Sequence, residues 1–177
     1  MHRFCQLSIR VQKLEPPDSH FLDAAIGWLG LGLPNDARDE LNKLSLKSLN
    51  HPDTLEVRWA LYAKEERWED ALKIAEQKFK IKPNDPAGWL HRAYALRRSS
   101  NGGLIMAWGV LLPAADKFPQ EPVIAYNLSC YACQLKHLDT ARTWLQRALK
   151  IGEKETIKKM ALDDDDLKPL WPEIKGL

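Results

Sequence analysis

The stretch "AYNLSCYACQLKHLDTARTWLQRALKI", residues 125–151, contains a spacing of small and apolar residues that recurs along the chain. Ala141 is followed by Leu145 four residues later and by Ala148 seven residues later, which places all three on one face of a helix. Three other alanines begin a similar spacing, and together the four lie 34, 36 and 34 residues apart: Ala37, Ala71, Ala107 and Ala141. A fixed period of this length indicates a helical repeat protein.

Prolines mark the ends of the repeats. Pro83 and Pro119 each stand twelve residues after a leading alanine, where a proline ends one helix because it cannot continue the hydrogen-bond ladder. Sixteen residues before three of the alanines the chain has the apolar residues Phe21, Leu55 and Ala125, and the third repeat has Trp89 two residues further back. Each repeat is therefore predicted to be a helix, a tight turn and a second helix.

These residues resemble the tetratricopeptide repeat (TPR) family, and the similarity is also clear in "ERWEDALKIAEQKFKIKPND", residues 66–85. The chain is similar to small bacterial TPR proteins of unassigned role. The resemblance implies an all-α fold, a right-handed α-solenoid of about four TPR helix-turn-helix units with a C-terminal capping helix.

The resemblance also sets the expected domain boundaries. Residues 1–17 form an N-terminal arm, residues 18–154 hold four repeats (18–51, 52–85, 86–121 and 122–154), and residues 155–177 form a capping segment. Asp53 is expected to cap the first helix of the second repeat. The eight repeat helices are expected at about 19–31, 35–48, 53–65, 68–81, 86–98, 104–118, 122–135 and 138–151.

The third repeat departs from the pattern. Its turn, "RRSSNGG" (97–103), is two residues longer than the others, and its second helix contains Gly109 and Pro113. Proline inside a helix removes a hydrogen bond and kinks it. The kink and the long turn are either a distortion that the repeat tolerates or an element that contacts a partner.

A second departure from the pattern is Trp59. It stands where the other repeats have Ala25, Ala93 and Ser129, so the second repeat must open there or turn the ring elsewhere.

Composition excludes several classes of protein. The chain has 177 residues and a formal net charge of +2, which gives no bulk electrostatic support for nucleic-acid binding. Three cysteines cannot form a complete disulfide framework, which favours a reducing compartment. No stretch of 18 apolar residues exists, and basic residues interrupt the first 19. A cytoplasmic protein that contacts neither nucleic acid nor membrane is expected.

The candidates for chemistry are weak. Cys130, Cys133 and His137 offer three metal donors where a closed zinc site needs four, and the cysteine pair lies inside a predicted helix. The four carboxylates of residues 163–166 lack the spacing of a calcium loop and are expected to begin the final helix, with Leu167, Leu170 and Trp171 packing on the last repeat. No catalytic motif is present, so no enzymatic activity, metal or cofactor is predicted.

The TPR resemblance implies that the first helices line a concave groove, which holds a peptide or helix of a partner. The leading hypothesis is a non-enzymatic interaction module or scaffold with a partner of unknown identity. The alternative is a self-associating subunit, such as a homodimer, whose groove is filled by its own arm or by a second copy. The groove residues that the resemblance places on this chain are Leu22, Ile26, Leu29, Glu56, Ala60, Ala63, Lys64, Leu90, Tyr94, Arg97, Arg98, Tyr126, Asn127, Cys130, Cys133 and Gln134.

Overall fold

The computed structural model describes residues 14–176, and the described residues are helical with no strand among them. Residues 1–13 of the expected N-terminal arm lie outside this range. The α-helices are α1 (Asp18–Gly30), α2 (Pro34–Leu41), α3 (Pro52–Lys64), α4 (Trp68–Ile81), α5 (Pro86–Arg98), α6 (Leu104–Lys117), α7 (Pro122–Gln134), α8 (Leu138–Ile151), α9 (Lys154–Leu162) and α10 (Trp171–Lys175). Two short 3₁₀ segments accompany them, Leu46–Ser48 and Asp165–Leu170. The predicted all-α fold of the solenoid class is confirmed.

The described residues divide into two compact units, which we call the N-terminal unit (residues 14–100) and the C-terminal unit (residues 101–176). In the N-terminal unit α1 packs on α2, α3 packs on α4, and α4 packs on α5. In the C-terminal unit α6 packs on α7, α7 packs on α8, and the 3₁₀ segment 165–170 packs on α7. Consecutive pairing of neighbouring helices is the packing expected of a helical repeat. None of the helices in residues 14–176 combines the length and the apolar character needed to cross a membrane.

Three first helices begin in the same way. His51, Asp85 and Glu121 each accept a hydrogen bond from the backbone N–H two residues ahead, and a proline follows each of them at the first helical position. Proline suits this position because its missing N–H has no partner there in any helix. The prediction that Asp53 caps α3 is wrong. His51 caps the helix, and the N–H of Asp53 donates to its Nδ1 at 3.3 Å.

The turns inside three of the repeats also share one geometry. Gly32, Glu66 and Lys136 have φ angles of 79°, 57° and 66°, in the left-handed region. The residue after each donates its N–H across the turn to the carbonyl five residues back, at 2.9 Å in all three turns. This is a Schellman motif, which satisfies carbonyls that the end of a helix leaves without partners. The third repeat has a longer connection instead, in which the N–H of Ser100 donates to Glu69 at 2.8 Å.

The second helix of the first repeat is shorter than expected. It was predicted over 35–48, but α2 ends at Leu41. The carboxylate of Asp18 accepts hydrogen bonds from the backbone N–H of Ser45 at 3.0 Å and from the hydroxyls of Ser45 and Ser48. These bonds lower the pKa of Asp18, those from the Ser45 and Ser48 hydroxyls most of all. Serine competes with helical hydrogen bonding through its side chain, and here it fixes the chain at the start of α1.

The two departures seen in the sequence are accommodated differently. Helix α6 is continuous through Pro113, and both Gly109 and Pro113 lie on its exposed side. Trp59 is 4% exposed, and its ring stacks on His91 of α5 at a centroid distance of 3.8 Å. The indole therefore fills space between α3 and the next first helix.

The capping segment differs from the expectation in one detail. The aspartates do not begin the final helix, because α10 begins at Trp171. Asp164 instead caps the 3₁₀ segment by accepting from the N–H of Asp166 at 3.0 Å. Leu167 and Leu170 are buried as predicted, and the indole N–H of Trp171 donates to the carbonyl of Ala161.

Candidate partner-binding faces

The predicted groove residues of α1 and α5 do not all reach the surface. Leu22 and Leu90 are buried in the core of the N-terminal unit. Ile26 is 48% exposed, and Leu29 is half-buried beside it on α1. On α3 the side chain of Lys64 is exposed, Ala60 is half-buried and Ala63 is buried. Only part of the predicted set therefore offers side chains to a partner.

The half-buried residues at the end of α5 form an ordered group with the start of α4. The guanidinium of Arg98 lies 3.6 Å from the ring centroid of Tyr94 and 5.3 Å from that of Trp68. Its Nη1 also donates to the backbone carbonyl of Tyr94 at 3.2 Å. The rings of Tyr94 and Trp68 lie 5.8 Å apart. Arg97 is half-buried in the same last turn. Stacking on aromatic faces holds a guanidinium in one orientation.

A second aromatic–arginine pair lies at the end of α3. The guanidinium of Arg67 is 4.7 Å from the ring centroid of Tyr62 and donates to Asp70 at 2.6 Å. That hydrogen bond raises the pKa of Arg67. Tyr62, Trp68 and Tyr94 all pack against the same core cluster, so the two pairs share one support. We call Tyr62, Arg67, Trp68, Tyr94 and Arg98 the aromatic–arginine cluster.

Sequence reasoning missed Tyr62, Arg67 and Trp68 as functional candidates. The groove positions of the TPR family select residues of first helices, whereas Arg67 lies in the turn after α3 and Trp68 begins the second helix α4. Tyr62 is on α3 but is not at one of those positions. The available signal was the clustering of "YAKEERW", residues 62–68, in which aromatic and charged residues border the turn.

Glu56, another predicted groove residue, belongs to a polar group inside the N-terminal unit. Its carboxylate accepts from the ammonium of Lys78, which lies 3.1 Å from Nδ1 of His91. The Nε2 of His91 is 3.5 Å from the other carboxylate oxygen of Glu56. Burial lowers the pKa of Lys78 to about 8 and holds the pKa of His91 well below its ordinary value. Glu56 therefore neutralises the buried ammonium of Lys78.

The corresponding face of α7 in the C-terminal unit is covered by the protein's own C-terminal segment. The hydroxyl of Tyr126 donates to Asp164 at 2.9 Å, and the Nε2 of Gln134 donates to the carbonyl of Asp166 at 3.1 Å. The thiol of Cys130 donates to Asp164 at 3.6 Å. Burial, first of all, raises the pKa of Tyr126. We call Tyr126, Cys130 and Gln134 with the 3₁₀ segment 165–170 and its cap Asp164 the covered face.

The remaining residues of this region do not add to an open surface. The Nδ2 of Asn127 donates to the carbonyl of Val123 within α7 at 2.8 Å. Cys133 is fully buried, and burial raises the pKa of its thiol. His137 is exposed at the start of α8. Within residues 14–176, Cys130, Cys133 and His137 do not form a converging donor group, and Cys130 instead lies with Asp164 and Asp166.

The order of helices, the repeated turns and the packing of neighbours define a helical repeat protein with a TPR-like fold. A solved structure with the same kind of fold is "MamA RS-1 ArsTM double mutant", in which MamA is a TPR-containing protein. The two are 17% identical and superpose with a TM-score of 0.64 over 78% of this chain and 76% of the other. No family model matches the chain, and no curated protein sequence matches it significantly.

Proposed function

We propose that the protein is a non-enzymatic interaction module that binds a peptide or helix of a partner protein along the first helices of its N-terminal unit. The observation that supports this is the aromatic–arginine cluster, in which half-buried rings and stacked guanidinium groups border α3 and α5. Aromatic residues and arginine are enriched where protein interfaces concentrate their binding energy, because they bury large areas at low entropic cost.

The cluster suggests the chemistry of the partner. A guanidinium that is already oriented by an aromatic ring loses little freedom when it meets a carboxylate. Arg97 lies beside Arg98 in the last turn of α5. The exposed apolar side chain of Ile26 on α1 suits a hydrophobic residue of the same ligand. A peptide or helix that carries both acidic and apolar side chains fits these groups.

Affinity capture from the source cell tests the proposal. The double substitution Tyr94→Ala and Arg97→Glu should deplete specific partners that the unaltered protein retains. The matched control is Gln77→Ala with Lys80→Glu, which makes a similar pair of changes on the exposed side of α4. Thermal unfolding of each variant shows whether the fold is kept. Equal capture by both double variants would contradict the proposal.

A second candidate function is self-association, and one observation favours it. Helix α6 exposes Ile105, Met106 and Leu112 on one side, with Ile105 75% exposed. Gly109 and Pro113 are exposed between and beside them. Contiguous apolar surface of this kind suits contact with a second copy. Light scattering after size exclusion separates the two candidates, because only self-association makes the measured mass rise with protein concentration.

A further inference from the structure

Three atoms of metal-ligand type converge on the covered face. The Sγ of Cys130, one carboxylate oxygen of Asp164 and one of Asp166 all lie within 4.8 Å of one another. Cys130 is 2% exposed, and the two aspartates are half-buried. The donors come from α7 and from a segment more than thirty residues away in the chain, so folding brings them together.

The surrounding hydrogen bonds orient these donors. The hydroxyl of Tyr126 donates to Oδ2 of Asp164 at 2.9 Å, and the backbone N–H of Asp166 donates to Oδ1 of Asp164 at 3.0 Å. Gln134 holds the backbone of Asp166 through its carbonyl at 3.1 Å. Hydrogen bonds from such outer groups fix the direction of ligating carboxylates in metal proteins.

A second thiol lies in the field of the same carboxylates. Cys133 is one helical turn beyond Cys130 and 0% exposed, and its thiol makes no hydrogen bond to any residue in the part of the chain that the structure describes. Burial raises the pKa of this thiol. The charges of Asp166 and Asp164 act in the same direction, and those of Lys136 and Arg142 act in the opposite one. Two buried thiols beside two carboxylates form a region that a cation would stabilise.

We propose that Cys130, Asp164 and Asp166 bind one divalent transition-metal ion of the zinc type. Thiolate sulfur with carboxylate oxygen suits Zn²⁺ and Co²⁺, whereas Ca²⁺ and Mg²⁺ take oxygen ligands alone. On binding, the thiol of Cys130 gives its proton to solvent, and the sulfur lone pair forms the bond to the metal. Three protein donors leave a fourth position, which water fills. The ion would join α7 directly to the capping segment.

Titration with Co²⁺ under reducing conditions tests the site, because a thiolate ligand gives a charge-transfer absorption band that carboxylates do not. The unaltered protein should bind one Co²⁺ per chain with this band, and one Zn²⁺ should displace it. Cys130→Ser should abolish the band, and Asp164→Asn or Asp166→Asn should weaken binding about tenfold or more. The neighbouring substitutions Asp163→Asn and Asp165→Asn remove the same charge outside the donor set and should leave affinity nearly unchanged. Cys5→Ser is the control for loss of a thiol.

Three results would overturn the proposal. The first is no saturable binding of Co²⁺ or Zn²⁺ by the unaltered protein. The second is a thiolate band that survives Cys130→Ser. The third is an equal loss of affinity in Asp165→Asn and Asp166→Asn, which would indicate a diffuse acidic attraction. Circular dichroism shows whether each variant is folded. If Cys130→Ser does not fold, the affinities of Asp164→Asn and Asp166→Asn for Co²⁺ test the site instead.

Discussion

The aromatic–arginine cluster and the covered face both include residues of a first helix, α5 in one and α7 in the other, yet only the covered face is shielded by another part of the chain. In the N-terminal unit, Tyr94 and Arg98 remain half-buried at the surface of α5. In the C-terminal unit, the residues at the same two positions of α7, Cys130 and Gln134, hydrogen-bond to the capping segment. Residues at the same position of two repeats therefore differ in whether a partner protein can reach them. The face of α7, the first helix of the fourth repeat, must also be shielded from water.

Removing a buried leucine of the capping segment should weaken the C-terminal unit most. Leu167 is 0% exposed, and Leu167→Ala should lower the free energy of unfolding by about 2–5 kcal/mol because it leaves a cavity against α7. Urea denaturation followed by circular dichroism measures the change. Lys168→Ala alters the exposed neighbour and should change stability by less than about 0.5 kcal/mol. If the two variants are equally stable, the segment does not cover α7 in solution.

Adding a methyl group at Gly152 should also weaken the C-terminal unit, by crowding the contact between the start of α7 and α9. A Cβ there would lie 2.9 Å from Cβ of Pro122 and 3.1 Å from Cγ1 of Ile157, both closer than normal contact. Gly152→Ala should therefore cost about 1–3 kcal/mol in denaturant unfolding. Gly109→Ala is the matched control, since a Cβ at Gly109 in α6 meets open space, and it should stabilise the protein by about 0.5–1 kcal/mol.

The N-terminal unit, which carries the aromatic–arginine cluster, should become less stable in acid because of His91. Burial, together with the charge of Lys78, keeps the pKa of His91 well below 6.5, so the unfolded chain binds a proton there that the folded chain refuses. The contribution of His91 to the free energy of unfolding is therefore fully present above pH 6.5. As the pH drops below 6.5, the free energy of unfolding decreases by up to about 1.4 kcal/mol per pH unit.

Denaturant unfolding between pH 7 and pH 5 measures this effect. His91→Gln should flatten the dependence on pH, and His20→Gln, at an exposed position of α1, should retain it. The same slope in both variants would mean that His91 becomes protonated in the folded protein, with Glu56 as its partner at 3.5 Å.

Substitutions in the left-handed turns should change stability least, and by the same amount in both units. Glu66 and Lys136 occupy the left-handed turn position that Gly32 fills in the first repeat. Glu66→Gly and Lys136→Gly should each stabilise the protein by about 0.5–1 kcal/mol, and Gly32→Ala should destabilise it by a similar amount. Midpoints of thermal unfolding measure these changes. A gain in only one unit would show that the two turns are not equivalent.

The sequence predicted most of the fold because the repeat pattern and the proline positions act locally. The expected bounds of α4, α5 and α8 are those of the structure, and α1, α3, α6 and α7 agree to within one residue. The failure at α2 has a different origin. Ser45 and Ser48 end the helical region through bonds to Asp18, a residue almost thirty positions earlier, and no local spacing contains that information.

The candidate site was less predictable for the same reason. Groove positions were assigned from the repeat frame, which fixes where a residue lies on its helix but not what lies over it. Tyr126 and Cys130 meet the capping segment, and Glu56 meets Lys78 of the neighbouring helix. These partners depend on tertiary packing. The stacking of Arg98 on Tyr94 follows from their spacing of four residues on α5, which a reading of that helix alone could have suggested.

The capping segment occupies the surface on which a further repeat would pack. A further repeat would place its first helix against α7 and α8, where the 3₁₀ segment 165–170 and α9 now lie. Replacing residues 153–176 with another repeat followed by the same segment would move the end of the array along by one unit. Attached after the last helix of a longer helical-repeat protein, the acidic run and the leucines after it would be expected to cover that helix pair as they cover α7 here.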